Sequence, residues 1–288
     1  MSAQVKVTKG VIAIAGFGTR FLPATKAAPK EMLPIIDKPI IQYIVEEMAA
    51  AGIKDIILVT NWQKRSVEDH FDRSREIEKH LEEQGKLALL REIRQIDKLA
   101  NFVYVRQKSG YGNGAPLLAV RSLVENEPFI YAFGDDLVKS KRSFCAQLIH
   151  TYQKNHCSVV GVQEVPAAEA HKYGIAELVN GSDQIKTIIE KPTPAQTASN
   201  LVVFGRYLLT PDIFPALDQT KIGKNGELWL TDALKVVLKQ NLPIVAHKVK
   251  DGQWYTTGDP LNYLKTTLAY VQDRPELSQE LIKFLKSL

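Results

Sequence analysis

Two glycines and three cations crowd into "IAIAGFGTRFLPATKAAPKEMLP", residues 12–34. An apolar run ends at Ala15, Gly16 and Gly18 follow, and Arg20, Lys26 and Lys30 come before the first long helical pattern. Glycine lets backbone approach a ligand, and successive amides in a tight turn can point at phosphate oxygens. Cations on such a loop, directly after a strand, suit an anion that meets them there. The stretch lacks the Gly-Lys-Ser/Thr ending of a P-loop, and Phe21 stands where the dinucleotide fingerprint needs its third glycine. By itself, a turn that merely needs two glycines explains the pattern equally well.

A second group tips that balance. Gly134-Asp135-Asp136 follows the apolar "FIYAF", and adjacent carboxylates at a strand's carboxyl end suit Mg²⁺, which takes one or two of them plus ligand phosphates and water. An aspartate-capped turn is the plainer alternative. In "VRQKSGYGNGAPL", residues 105–117, Gln107 offers a donor and an acceptor that could read a nucleobase edge. Tyr173-Gly174 could line a pocket, Glu190-Lys191-Pro192 places an acid and a base where a strand ends, and Glu227 could accept sugar hydroxyls or open a helix.

The elements that must position these residues alternate. Strand patterns at 11–15, 55–60, 101–107, 129–136 and 158–165 are separated by helical patterns at 39–52, 115–125 and 143–154. This predicts an α/β fold with a mainly parallel central sheet and helices on both faces, where ligands bind beyond the strands' carboxyl ends. Residues 64–100 break the alternation with a charged, helix-prone insertion, expected as a helical pair whose Leu81, Leu87, Leu90, Ile93 and Ile96 face the core or a second subunit. Beyond 166 the pattern is mixed: strands near 175–179, 185–190, 201–206 and 243–249, helices near 211–217 and 230–239, and a C-terminal helical segment over 260–288. Nothing divides the chain, so one domain over 1–288 is expected.

Composition narrows the function. The chain has 288 residues, 45% of them hydrophobic, enough for a sizeable core, and its net charge of +5 is spread among nearly as many acids. Without a basic stripe, nucleic acid is not an expected partner. No apolar run reaches the ~18 residues of a membrane span, and no signal-peptide core is present. Cys145 and Cys157 show neither metal-ligand nor disulfide spacing. A soluble, cytoplasmic protein is expected. The six histidines and Trp62, Trp229 and Trp254 read as packing, surface or pocket-wall residues.

The order of "GFGTRFLPATKAAPKEMLPIIDKPIIQYIVEEMAAAGIKDIILVT", "VRQ", "GDD", "YGI", "EKPTP", "GELWLTDAL" and "WYTTGDPLNYL" resembles bacterial UTP–glucose-1-phosphate uridylyltransferases, almost end to end. The resemblance implies a Rossmann-like nucleotidyltransferase fold, Mg²⁺ as cofactor, UTP and glucose 1-phosphate as substrates, and a homodimer or homotetramer. Carried over by position, Arg20, Lys30 and Lys191 are the catalytic cations. Ala15, Gly16, Gly18, Thr19, Glu31, Gln107, Gly112 and Asp135 would bind the nucleotide, and Gly174, Glu190, Lys191 and Glu227 the sugar phosphate. Asp135 and Asp136 are the metal candidates.

The sequence also departs from that family. Ser109, Gly110 and Ala115 alter the loop expected around the base, which leaves another nucleotide preference open. Thr256 stands where an aspartate usually helps to bind Mg²⁺; a neutral hydroxyl is a poorer ligand, which implies weaker magnesium affinity or a lower rate. A catalytically silent homologue that binds nucleotide sugar is the alternative from another functional class.

Overall fold

The computed structural model describes residues 6–108, 110–124, 126–223 and 226–287; Ser109, one of the altered loop positions, and Glu125, the expected helix end, lie outside them. The first half runs β1 (Lys9–Ala13), β2 (Pro34–Ile35), β3 (Lys38–Pro39), α1 (Ile40–Ala50), β4 (Asp55–Thr60), α2 (Arg65–Phe71), α3 (Arg75–Glu83), α4 (Leu87–Ile96), β5 (Asn101–Arg106), α5 (Ala115–Val124) and β6 (Phe129–Phe133). The second runs β7 (Asp136–Ser140), α6 (Phe144–Asn155), β8 (Ser158–Glu164), β9 (Gly174–Leu178), β10 (Ile185–Glu190), β11 (Leu201–Leu209), α7 (Ile213–Gln219), α8 (Leu230–Lys239), β12 (Ile244–Lys248), β13 (Gly252–Thr256), α9 (Pro260–Val271) and α10 (Pro275–Ser287).

Among the described residues, nine strands form the main sheet, ordered β10-β9-β11-β6-β1-β4-β5, with β8 on β11 and β12 on β8. β6, β1, β4 and β5 are parallel. β11 then runs antiparallel to β6, β8 and β9, so the sheet is mixed beyond its parallel half. All nine residues of β11 are buried, as expected for a strand covered on both faces.

Successive residues of a strand point to opposite faces. In β1, Ile12 joins the apolar layer under α1 and α6, which includes Ile44, Met48 and Leu148, while Val11 joins the layer under α5 and α8, which includes Val120 and Leu230. Ser143 caps α6 by accepting the Ala146 N–H, and Asp259 caps α9 by accepting the Asn262 N–H at 3.0 Å, with Pro260 in the first turn.

The insertion is three helices, α2 to α4, rather than a pair. Glu78 of α3 ties α4 to the turn after α2: it accepts from Arg73 and from Arg94, and those guanidinium hydrogen bonds pull its carboxyl down to about 2. Leu81 and Leu90 are buried, whereas Leu87 is exposed. The pattern read as one strand over 129–136 ends at Phe133; after a turn at Gly134-Asp135 the chain enters β7, which pairs antiparallel with β13 as a separate ribbon.

A buried ionic knot ties that ribbon to the sheet. Arg206 of β11 is fully buried and donates to both carboxylate oxygens of Glu47, at 3.1 and 2.9 Å, and to the Asp136 carbonyl at 2.8 Å. Asp136 itself accepts the Gly205 N–H through Oδ2 and the Trp254 Nε1–H through Oδ1, each at 2.8 Å. Removing one member of such a buried pair costs about 3–5 kcal/mol, because the partner charge is left uncompensated. Among the described residues, no helix is long and apolar enough to cross a membrane.

Candidate active site

Two adjoining cavities open at the carboxyl ends of β1, β4, β5 and β6. The larger, about 900 Å³, is walled by Ala15, Gly16, Gln107, Gly112, Lys30 and Glu227 among others. The smaller, about 190 Å³, is walled by Tyr173, Gly174, Glu190, Thr231, Thr256 and Gly258 among others. Arg20, Asn113, Phe133, Asp135, Lys191 and Trp229 border both. Whatever occupies one cavity therefore meets whatever occupies the other beside two cations and a carboxylate.

The glycine loop after β1 folds as its sequence implies. Gly18 adopts a left-handed φ of 67°, and a side-chain carbon there would lie 3.2 Å from Lys30 Cβ, so the turn closes against Lys30. Lys30 Nζ donates to Asp135 Oδ2 at 2.6 Å. Burial lowers the Lys30 ammonium, but the charges of Asp135 and Glu31 outweigh it and leave its pKa raised. Burial likewise raises Asp135, and the Lys30 charge and hydrogen bond turn the net shift downwards. The pair is thus held ionised beside the junction.

Asp135 and Asp136 differ sharply. The Asp135 side chain keeps 23% exposure at the junction. Asp136 is 6% exposed with each oxygen engaged by an N–H donor, and burial followed by the Asp135 charge pushes it up to about 6. It borders the smaller cavity while holding Gly205 and Trp254 in place. A side-chain carbon placed on Gly258 would lie 3.3 Å from Thr256 Oγ1, 3.4 Å from Arg20 Nη1 and 3.5 Å from Asp135 Oδ2, so these three groups surround one small volume. Arg20 is steadied there by donating to the Gly258 carbonyl at 3.1 Å.

The loop after β5 and the segment that leads into α8 are joined. Gly112, at φ 96°, sits so close to the Leu228 carbonyl that a Cβ would approach it to 2.4 Å. Leu228 N–H donates to Tyr111 O at 2.7 Å, and Gly114 N–H to Leu228 O at 2.9 Å. In the base loop Gln107 Nε2 donates to Gly110 O at 2.6 Å, leaving Oε1 as the acceptor to meet a ligand. In the smaller cavity Glu190 is raised by burial, offset by the Thr231 hydroxyl that donates to it at 3.0 Å. Lys191 has its Nζ 4.7 Å from the Trp229 ring centroid and a left-handed φ of 45°, strain of the sort stored at functional positions.

Other residues singled out by sequence fall elsewhere. Glu31 is wholly buried, where Oε2 accepts from Lys64 at 2.7 Å and Oε1 has no partner. Gly18 and Thr19 form the turn behind Lys30 rather than a cavity wall, and Lys26 is exposed away from both cavities. Glu227 borders the larger cavity, not the smaller. Sequence reasoning missed Asn113, which touches both cavities, and Lys172, whose position beside Tyr173-Gly174 was its only signal.

The family described as nucleotidyl transferase matches residues 9–273. The UTP–glucose-1-phosphate uridylyltransferase of Staphylococcus haemolyticus is 46% identical over 286 residues, spanning 98% of this chain and 99% of its own. A UDP-glucose pyrophosphorylase solved in complex with UDP-glucose is 42% identical with a TM-score of 0.83, covering 93% of this chain and 100% of that one. A UTP-bound UGPase from Acinetobacter baumannii is 35% identical with a TM-score of 0.90, covering 98% and 100%. A sheet with cations and carboxylate at its parallel strand ends, matched at these levels over nearly its full length, places this chain in the nucleotidyl transferase family, among the UTP–glucose-1-phosphate uridylyltransferases.

Proposed function

We propose that this chain transfers the uridylyl group of UTP to α-D-glucose 1-phosphate, giving UDP-glucose and pyrophosphate. The observation that carries this reading is the wall shared by the two cavities, where Arg20, Lys191 and Asp135 face both. One cavity takes the nucleotide, the other the sugar phosphate, and the reacting phosphates meet at the junction.

A phosphate oxygen of the sugar attacks the α-phosphorus of UTP, the new P–O bond forms, and the bond to the bridging oxygen breaks to release pyrophosphate. No side-chain nucleophile is required. The protein's task is to align two anions that repel each other and to stabilise the charge that spreads in the transition state. Arg20 and Lys30 bind the triphosphate, and Lys191, fixed over Trp229, reaches the sugar phosphate. Gln107 Oε1 accepts the N3–H of uracil, whereas cytosine carries no hydrogen there. Glu190 and Gly174 hold the sugar.

Among the described residues, no three or more His, Cys, Asp or Glu side chains gather to hold a metal. Mg²⁺ commonly uses one or two carboxylates and draws its other ligands from phosphates and water. The partly exposed junction carboxylate of Asp135 fits that mode, with the metal arriving on the triphosphate. Bound there, Mg²⁺ would neutralise phosphate charge. The exposed Leu261, Leu264, Leu268, Phe284 and Leu285 of α9 and α10 support self-association, to be read from the sedimentation of the purified chain. Two free, buried cysteines suit a reducing, cytoplasmic setting.

The reaction is tested by pyrophosphate release with magnesium, glucose 1-phosphate and UTP, dTTP, ATP, CTP or GTP in turn. UTP-dependent release with UDP-glucose as product is expected. A folded protein silent with all five would overturn the enzymatic reading.

A further inference from the structure

Three loops that leave the adjacent strands β1, β4 and β5 each carry one exposed aromatic residue: Phe17 at 53%, Trp62 at 71% and Tyr111 at 63% exposure. Large aromatic rings bury 150–250 Å² when packed, so leaving three in water at one place calls for a reason. All three border the larger cavity and none borders the smaller. The same cavity holds four cations, Arg20, Lys30, Lys108 and Lys191, and the polar edge of Gln107.

The rings stand on anchored backbone. Asn61 Nδ2 donates to Ala15 O at 2.6 Å, tying the loop after β4 to the loop after β1. Asn61 Oδ1 accepts the Gln63 N–H, and its carbonyl accepts the Lys64 N–H at 3.1 Å. Lys64 is in turn locked to Glu31 in the interior. Trp62 thus projects from a turn fixed at both ends, and Tyr111 is held by the Leu228 N–H. Fixed backbone with a free ring is the arrangement that lets an aromatic bind without a large ordering cost.

We propose that Trp62, with Phe17 and Tyr111, forms an aromatic clamp that stacks on the nucleobase, so that Trp62 is a base-binding residue of this enzyme. The inference rests on the uridylyl-transfer reading of the site. UTP has one flat π-face, the uracil, and the ring edge that Gln107 meets lies in the same cavity as the three aromatics. Stacking contributes about 1–3 kcal/mol per base by alanine substitution. For rings this open to water the lower end applies, roughly a 5-fold change in affinity.

Full-length wild-type, Trp62→Ala and Trp62→Phe proteins are titrated with UTP and with pyrophosphate, following calorimetric Kd and tryptophan fluorescence. Trp62→Ala is expected to weaken UTP roughly 5-fold and leave pyrophosphate unchanged, because pyrophosphate carries no base. Trp62→Phe is expected to restore UTP affinity while losing the part of the expected UTP-induced quench that comes from Trp62. If Trp62→Ala binds UTP like wild type, or loses UTP and pyrophosphate equally, the clamp is overturned while the transfer reading stands. A wild-type protein that binds no UTP overturns both.

Discussion

Asn113 Oδ1 accepts the backbone N–H of Leu230 at 2.8 Å, while the Asn113 carbonyl accepts the Tyr131 hydroxyl at 2.5 Å. One residue of the base loop therefore caps α8, the helix that carries Thr231 to Glu190. The larger and the smaller cavity are joined at this point. Asn113→Leu keeps the branched outline but removes the acceptor, and loss of a helix cap costs ~1 kcal/mol. We expect a lower urea midpoint and a KM for glucose 1-phosphate raised several-fold. Wild-type values of both would show that the two sides are held together by other contacts.

Asp136 is needed as a carboxylate, not merely as a polar group. Both of its oxygens accept N–H donors, and an amide must turn its own NH₂ towards either Trp254 or Gly205. Asp136→Asn should lose about 1–3 kcal/mol of stability by leaving a buried donor unmatched. Denaturant unfolding reads this directly, and an unchanged midpoint would remove Asp136 from the structural role given to it.

Thr256 lies opposite Asp136 in the ribbon and beside Asp135 at the junction. A second carboxylate there should tighten Mg²⁺ binding. Thr256→Asp is expected to lower the Mg²⁺ concentration for half-maximal binding in the presence of UTP on the order of tenfold, or ~1.4 kcal/mol. Calorimetric magnesium titration that gives equal values for the two proteins would show that Thr256 is no handicap.

His247 provides a pH signature far from the site. Burial, with help from Lys250, lowers its pKa from 6.5 to about 4, and Thr151 and Gln147 bond its two ring nitrogens. Between those values the unfolded chain binds the extra proton and the folded chain does not. The contribution is complete above pH 6.5 and declines as pH falls towards 4. Urea midpoints of wild type should therefore drop more steeply across that range than those of His247→Gln. Parallel curves would mean that the ring protonates freely in the folded state.

Much of the frame was legible from pattern. Residues 55–60, 185–190 and 230–239 form the expected elements over their whole length, because strongly apolar runs and a clear helical period leave little choice. The ribbon of β7 and β13 was not legible, since "DLVKS" and "GQWYT" are short and only half apolar. The glycine loop and its cations could be read because type and spacing sit together in one segment. Trp62 was legible as a pocket-wall residue, and it does border the larger cavity, but its place beside Phe17 and Tyr111 was not legible, nor was the role of Asn113. The contacts that place them, Asn61 to Ala15 and Asn113 to Leu230, join residues far apart in sequence, and no local pattern records that.

Strand β11 sets the geometry of the reaction from beneath. Its Val203 is registered with Gly174 of the sugar cavity, and its Arg206 with Ala132 of the strand that leads to Asp135. The two cavities thus share one fully buried strand beneath them, while the rings and amides that line the larger one stand on the loops above. Because Tyr111, Gly112 and Asn113 are bound to Leu228 and Leu230, exchanging the loop after β5 would also shift the wall of the smaller cavity, so the two seats are retuned together.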